Sequence, residues 1–224
     1  MIVEASFDHP AALGAPATIA RSPWVVLKFG GTSVATRENW DTIAALLHSR
    51  LDAGLKPVVV HSALQGVSNT LELLLDKAVV ADTADELAAI REQHYRLAAD
   101  LELDADALIG DALHELQQLV AGVRLVREVS VRVRVRVMAL GELMATRLGA
   151  AFLASRGTPV RWVDARDIMI SRPQPAADRE QSYLAATCEY GFDQQLADKL
   201  SVSGEVVLTQ GFIARNPHGD TVLL

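Results

Sequence analysis

The sequence predicts an α/β chain built on a parallel sheet, and three observations carry that expectation. Short apolar runs at residues 24–29 and 56–60 flank a segment in which Trp40, Ile43, Leu46, Leu47 and Leu51 recur at helical spacing. A strand–helix–strand unit of this kind favours parallel strands joined by a right-handed crossover. Half of the 224 residues are hydrophobic and only 5% are aromatic. That leaves mostly Ala, Val and Leu, a mixture that suits helices packed on a sheet better than a small β-rich module.

The elements follow in order. Residues 1–22 hold Pro10, Gly14 and Pro16 among alanines and read as a flexible N-terminal extension, leaving 23–224 as the folded domain. The first apolar run ends at Gly30-Gly31-Thr32-Ser33, and Gly54 stops the helix that follows. Three helices are expected over residues 69–80, 85–99 and 104–127. Residues 131–137 alternate Val and Arg as a half-buried strand would. Yet Val133, Val137, Leu140, Met144, Leu148 and Ala151 form a stripe at steps of three and four that runs into an obvious helix, so helix is the reading chosen. Residues 159–163 read as a strand, 172–180 as a surface loop, 183–190 as a further strand and 192–200 as a short helix. A strand over 205–210 ends at Gly211, and Asn216-Pro217-His218-Gly219 is a strong turn signal. Residues 221–224 begin another strand, which suggests a fragment.

Composition excludes some functions. The net charge is -7 with no block of Lys and Arg, so neither nucleic acid nor an anionic membrane is an expected partner. The single cysteine, Cys188, permits no intrachain disulfide, which agrees with a reducing compartment and a cytoplasmic location. No apolar run reaches membrane-spanning length, and residues 1–5 lack the layout of a signal peptide. His9, His48, His61, His94, His114 and His218 are scattered without metal-ligand spacing, so no metal site is expected and these residues have no expected catalytic role.

Four segments could carry chemistry. Lys28-Phe29-Gly30-Gly31-Thr32-Ser33 puts a lysine at the end of a buried strand, then two glycines and two hydroxyls, then a helix. Glycines let backbone amides approach an anion, a helix N-terminus adds partial positive charge, and the lysine can meet charge on a transferring phosphoryl group. The same spacing fits a tight turn with a solvated lysine. In His61-Ser62-Ala63-Leu64-Gln65-Gly66-Val67-Ser68-Asn69, at the end of the second strand, Ser62 and Ser68 could bind a small polar substrate. Equally, Ser68 or Asn69 could cap the next helix. Gly141-Glu142-Leu143-Met144 lies on a helix that is apolar nearly all round. A buried Glu142 needs a partner: a ligand ammonium, Arg147 or bulk water. In Thr209-Gln210-Gly211-Phe212, Gly211 suggests close backbone approach to a ligand, or is an ordinary strand-end glycine.

Together and in this order, these segments resemble the aspartate kinases of the amino-acid kinase superfamily. Lys28-Phe29-Gly30-Gly31-Thr32-Ser33-Val34, Gly141-Glu142-Leu143-Met144 and Thr209-Gln210-Gly211-Phe212-Ile213 carry the resemblance, which covers residues 24–224. It implies a three-layer α/β/α sandwich, of which this chain is the N-terminal, substrate-binding half, truncated. It implies an enzyme that phosphorylates the side-chain carboxylate of aspartate with ATP and Mg2+ and whose parent is a homo-oligomer. By the same resemblance, Lys28 contacts the phosphates, with Gly30, Gly31 and Thr32 in the phosphate-binding loop. Ser62 faces the transfer centre, Ser68 and Glu142 hold aspartate with Glu142 on its α-ammonium, and Phe212 packs beside the substrate. The family's Gly-Arg-Gly-Gly-Ser-Asp segment and nucleotide half follow the position of Leu224, so this chain alone is expected to be inactive. The long N-terminal extension resembles the fusion of aspartate kinase with diaminopimelate decarboxylase. The alternatives are a non-catalytic binding or dimerisation module of the same fold, or a kinase for another amino acid.

Overall fold

The computed structural model describes residues 22–173, 178–201 and 204–224. The expected N-terminal extension, apart from Ser22 at its end, lies outside the described residues. Strand β1 (Trp24–Phe29), helix α1 (Arg37–Asp52) and strand β2 (Lys56–His61) form the anticipated unit, with β1 and β2 parallel. Helices α2 (Val67–Ala78), α3 (Ala84–Asp100), α4 (Ala105–Val126) and α5 (Val131–Ser155) follow. Then come β3 (Val160–Trp162), a 3-10 turn (Ala165–Asp167), α6 (Arg179–Leu184), α7 (Gln194–Leu200), β4 (Val206–Gln210) and the antiparallel pair β5 (Ile213–Arg215) and β6 (Thr221–Leu223). The main sheet has the order β1-β2-β4-β3 and every pair in it is parallel. Pro57 precedes the pairing of β2 with β4, which begins at Val58, so its missing N–H breaks no bond there.

Alternation along the strands separates the two faces of the sheet. Pro57, Val59 and His61 face α1, where His61 meets Trp40 edge-on. Trp162 donates from its indole to Thr146 of α5 on that side. Arg161, one residue earlier, reaches the carbonyls of Lys199 and Leu200 at the end of α7 on the other. Helices therefore lie against both faces, as a three-layer α/β/α arrangement requires.

Helix α5 is the hub. Ser130 caps it by accepting from the Val133 amide, and from Val137 to Leu153 nearly every side chain is buried. The helical stripe thus prevails over the Val–Arg alternation, because burying it against α2 and α4 removes far more apolar area from water than a half-exposed strand would. Alone among the described helices, α5 is long and apolar enough to cross a bilayer, which corrects the expectation that no such run exists. The fold buries 83% of its most apolar stretch.

Two expectations fail nearby. Residues 183–190 do not form a strand. The Asp178 side chain accepts from the Gln181 amide and starts a helix that includes Tyr183. Only Cys188 makes an isolated bridge, to Ser171. The expected loop over 172–180 therefore ends in a helix cap, and its residues 174–177 lie outside the described residues. No sequence signal marks strand β5. Its three residues are too few to show a period.

Candidate active site

The register of the sheet fixes which loops meet. Phe29 pairs with His61, and His61 pairs with Gln210. The chain therefore leaves β1, β2 and β4 at the same carboxyl edge, where ligands of open parallel sheets are found. Lys28, Ser62 and Phe212 are thus brought together by strands far apart in sequence.

The loop after β1 is a turn, closed by the Ser33 amide donating to the Gly30 carbonyl at 2.9 Å. Helix α1 starts only at Arg37, behind its own cap Thr36, whose side chain accepts from Asn39. The helix thus follows the two glycines and the hydroxyls of Thr32 and Ser33, as expected, with its start set by the Thr36 cap. The two glycines differ. A Cβ on Gly31 would lie 2.5 Å from the Ala63 carbonyl oxygen and 2.9 Å from the Gln65 nitrogen, whereas one on Gly30 would meet nothing within 4 Å. Gly31 is therefore needed so that the two loops can touch, and the open side of the turn belongs to Gly30. Lys28 and Thr32 are exposed beside it.

The loop after β2 leads into α2, whose N-cap is Gly66 at φ 83°, with no side-chain capping bond. Ser68 and Asn69 are inside the helix and do not cap it. Ser68 is exposed, and Ser62 is half-buried with its amide donating to the Phe29 carbonyl at 3.3 Å. Gly141 lets α5 lie against this helix start. A Cβ there would be 3.0 Å from Leu71 and 3.2 Å from Ala63 and Val67.

Next to Gly141 stands Glu142, which is 3% exposed. Its Oε2 accepts from the amides of Phe212 at 3.0 Å and Gly211 at 3.2 Å. Burial pushes its pKa up to about 7, although those two amides and the charge of Lys28 pull it down. Arg147 is not its partner, because that guanidinium binds Asp111 at 2.6 Å. Nor does Thr146 add a polar lining. Its hydroxyl donates to the Glu142 carbonyl and accepts from Trp162 and Gln210 inside the core. Among the described residues Glu142 has no cationic partner within ion-pair distance. Gly211 approaches Val60, at 2.9 Å from where its Cβ would be, so its small size serves the packing of β4 on β2. Phe212 is 42% exposed at the rim. The amide bonds of Gly211 and Phe212 to Glu142 had no signal in the sequence, since backbone donors carry no side-chain mark.

Chemically, the edge offers a buried carboxylate with spare acceptor capacity, an exposed lysine, an open glycine turn, an uncapped helix start and two serine hydroxyls. A cationic amino group suits the first, and a phosphate suits the others. No group of three His, Cys, Asp or Glu among the described residues could hold a metal.

Aspartokinase 3, chloroplastic, of Arabidopsis thaliana is 41% identical over 150 residues, covering 65% of this chain and 26% of that protein. The bifunctional aspartokinase/homoserine dehydrogenase 2 of Escherichia coli K12 is 29% identical over 203 residues, covering 88% of this chain and 24% of its own length. The chain thus spans about a quarter of the length of these curated relatives. Among solved structures, E. coli aspartokinase III in complex with aspartate and ADP superposes with a TM-score of 0.72 at 28% identity, over 89% of this chain and 43% of that one. The same enzyme in complex with lysine and aspartate gives 0.71 at 30% identity, over 91% and 44%. Residues 23–224 match the amino acid kinase family, and the chain belongs to it.

Proposed function

We propose that this chain is the aspartate-binding part of an aspartokinase, which transfers the γ-phosphoryl group of ATP to the side-chain carboxylate of L-aspartate. The product is 4-phospho-L-aspartate, the entry to lysine, threonine and methionine. The observation that carries the reading is Glu142: a buried carboxylate without a cation, at the edge where the phosphate-type loops converge. An α-ammonium supplies the missing charge, and removing it from water strengthens the pair.

In this reading Glu142 and Ser68 hold aspartate, and Phe212 shields one side of it. Lys28 stabilises charge on the phosphoryl group in flight, and Ser62 lies beside the transfer centre. Gly30 and Thr32 line the phosphate turn, while Gly31 sets the spacing of the two loops. Phosphoryl transfer of this kind is mainly positioning and charge stabilisation. The described residues do not fit a resident metal. In this reading Mg2+ enters as the counterion of ATP. The bound aspartate and ADP of the E. coli neighbour support both substrates. A cytoplasmic homo-oligomer without nucleic-acid or membrane partners is the setting we propose. The wide spread of charge and the single buried Cys188 are in keeping with it.

Glu142→Gln in the full-length protein tests the reading. It keeps the shape and removes the charge. Aspartate binding should weaken by about 2–5 kcal/mol, as when one partner of a buried charge pair is lost, with the Michaelis constant for ATP nearly unchanged. A folded variant with normal aspartate affinity would return Glu142 to a structural role.

A further inference from the structure

The loop that carries Ser62 is pinned from outside by two side chains. At its far end, the Gln93 side-chain amide donates to the Gln65 carbonyl at 2.9 Å. At its near end, His61 Nδ1 lies 2.9 Å from the Ser62 carbonyl oxygen. A carbonyl only accepts, so Nδ1 carries the proton and Nε2 of the neutral ring does not.

The setting of that ring is unfavourable in itself. His61 is fully buried and Nε2 has no partner. Trp40 meets it edge-on with the ring centres 5.4 Å apart. Room for the pair exists only because residue 149 is glycine. A Cβ there would lie 2.2 Å from Trp40 and 3.1 Å from His61 Nε2. An apolar side chain would fill the space without leaving a buried acceptor unpaired. What His61 contributes that an apolar residue cannot is its grip on the Ser62 carbonyl. In a trans peptide the carbonyl and the next amide point in opposite directions, so holding one fixes the other. The Ser62 amide is already tied to the Phe29 carbonyl at the end of β1.

We propose that His61 is a positioning residue: by holding the Ser62–Ala63 peptide plane it presents the Ser62 hydroxyl and the Ala63 amide to the transferring phosphoryl group. The catalytic consequence rests on the aspartokinase reading, whereas the anchoring of the loop does not.

The experiment compares His61→Leu, His61→Asn and His61→Gln in the full-length protein. Asn places its side-chain amide near the position of Nδ1, Gln near that of Nε2. Three quantities are measured: the melting temperature, hydrogen exchange of amides 62–66, and steady-state kinetics with aspartate and ATP. His61→Leu should melt no lower than wild type, exchange faster in the loop, and lose turnover roughly 10- to 100-fold, as small misplacements of reacting groups do. Its Michaelis constant for aspartate should barely move. Asn should restore turnover and protection, and Gln should not, a contrast that holds even where Leu fails to fold. Wild-type turnover and exchange in Leu, or equal loss in Asn and Gln, would overturn the proposal. If wild type forms no aspartyl phosphate while loop exchange still responds as described, the aspartokinase reading falls and the anchor stands.

Discussion

The first turns of α5 and its middle treat charge in opposite ways. Arg132, Arg134 and Arg136 leave the helix in different directions, and each finds a carboxylate on another element: Asp220 before β6, Glu72 on α2 and Glu115 on α4. Arg147, farther along, binds Asp111 of α4. Glu142 has amides but no cation. The arginines are partly in water, where such pairs cost little to make and add little. Glu142 is out of water, where a charge without a counter-charge is expensive. The difference singles out Glu142 as the charged group on this helix that is buried and, among the described residues, left without a counter-charge.

The largest effect that would break this comparison is at Lys28, the cation nearest in kind to what Glu142 lacks. If Lys28 serves the phosphoryl group and not Glu142, Lys28→Ala in the full-length protein should lower turnover by roughly 10²–10³ and leave aspartate affinity nearly intact. A raised Michaelis constant for aspartate with unchanged turnover would make Lys28 the partner of Glu142 instead.

Next in size is Gly149→Ala, which tests the packing that sets the middle of α5. The added methyl would overlap Trp40, 2.2 Å away. Overpacking of this sort costs about 1–3 kcal/mol. The midpoint of chemical denaturation should fall accordingly, and an unchanged midpoint would show that Trp40 has room to move.

Titration sharpens the comparison further. Burial raises the folded pKa of Glu142 to about 7, so the empty site takes up a proton as pH falls through 7. An ammonium ligand needs the ionised form. Aspartate affinity should therefore rise with pH and level off above about 7, with each pH unit below that costing up to about tenfold, or 1.4 kcal/mol. Direct binding measured by calorimetry between pH 5.5 and 8 checks this, and a flat profile would contradict it. The fold itself responds with the opposite sign. With its folded pKa above the unfolded one, Glu142 favours the folded state as pH falls from 7 toward 4.5. His61, lowered to about 4 mainly by burial, disfavours it as pH falls from 6.5 toward 4. In the ligand-free protein the two oppose each other between pH 4.5 and 6.5. Melting temperature should drop with acid in Glu142→Gln and rise with acid in His61→Leu, relative to wild type.

The smallest effect is expected where the arginines are. Arg136→Ala removes a pair that is about half exposed on both sides, and should cost under about 1 kcal/mol with no change in either Michaelis constant. A large loss of aspartate affinity there would erase the distinction between the two parts of α5.

Much of this architecture was legible in the residues. The strand–helix–strand opening, the helices over the middle of the chain and the strand before Gly211 follow from apolar period and from glycine stops, which act over a few neighbouring residues. The segment 183–190 reads as a strand but does not form one, because its helix start depends on one Asp178 cap and on Tyr183, whose hydroxyl reaches Asp220 across the fold. The residue types of the site were legible too: a lysine before two glycines, a glutamate inside an apolar helix, a glycine after a strand. By itself, then, the sequence determined the period of each element and the inventory of chemistry-bearing groups, because both are written in local spacing and side-chain type. Only the tertiary structure decided that Gly31 serves the contact of two loops, that Arg147 goes to Asp111, that Glu142 is held by two backbone amides, and that His61 grips the carbonyl beside it. Those outcomes depend on strand register, on burial and on which groups lose water together, and none of these is fixed until distant segments pack.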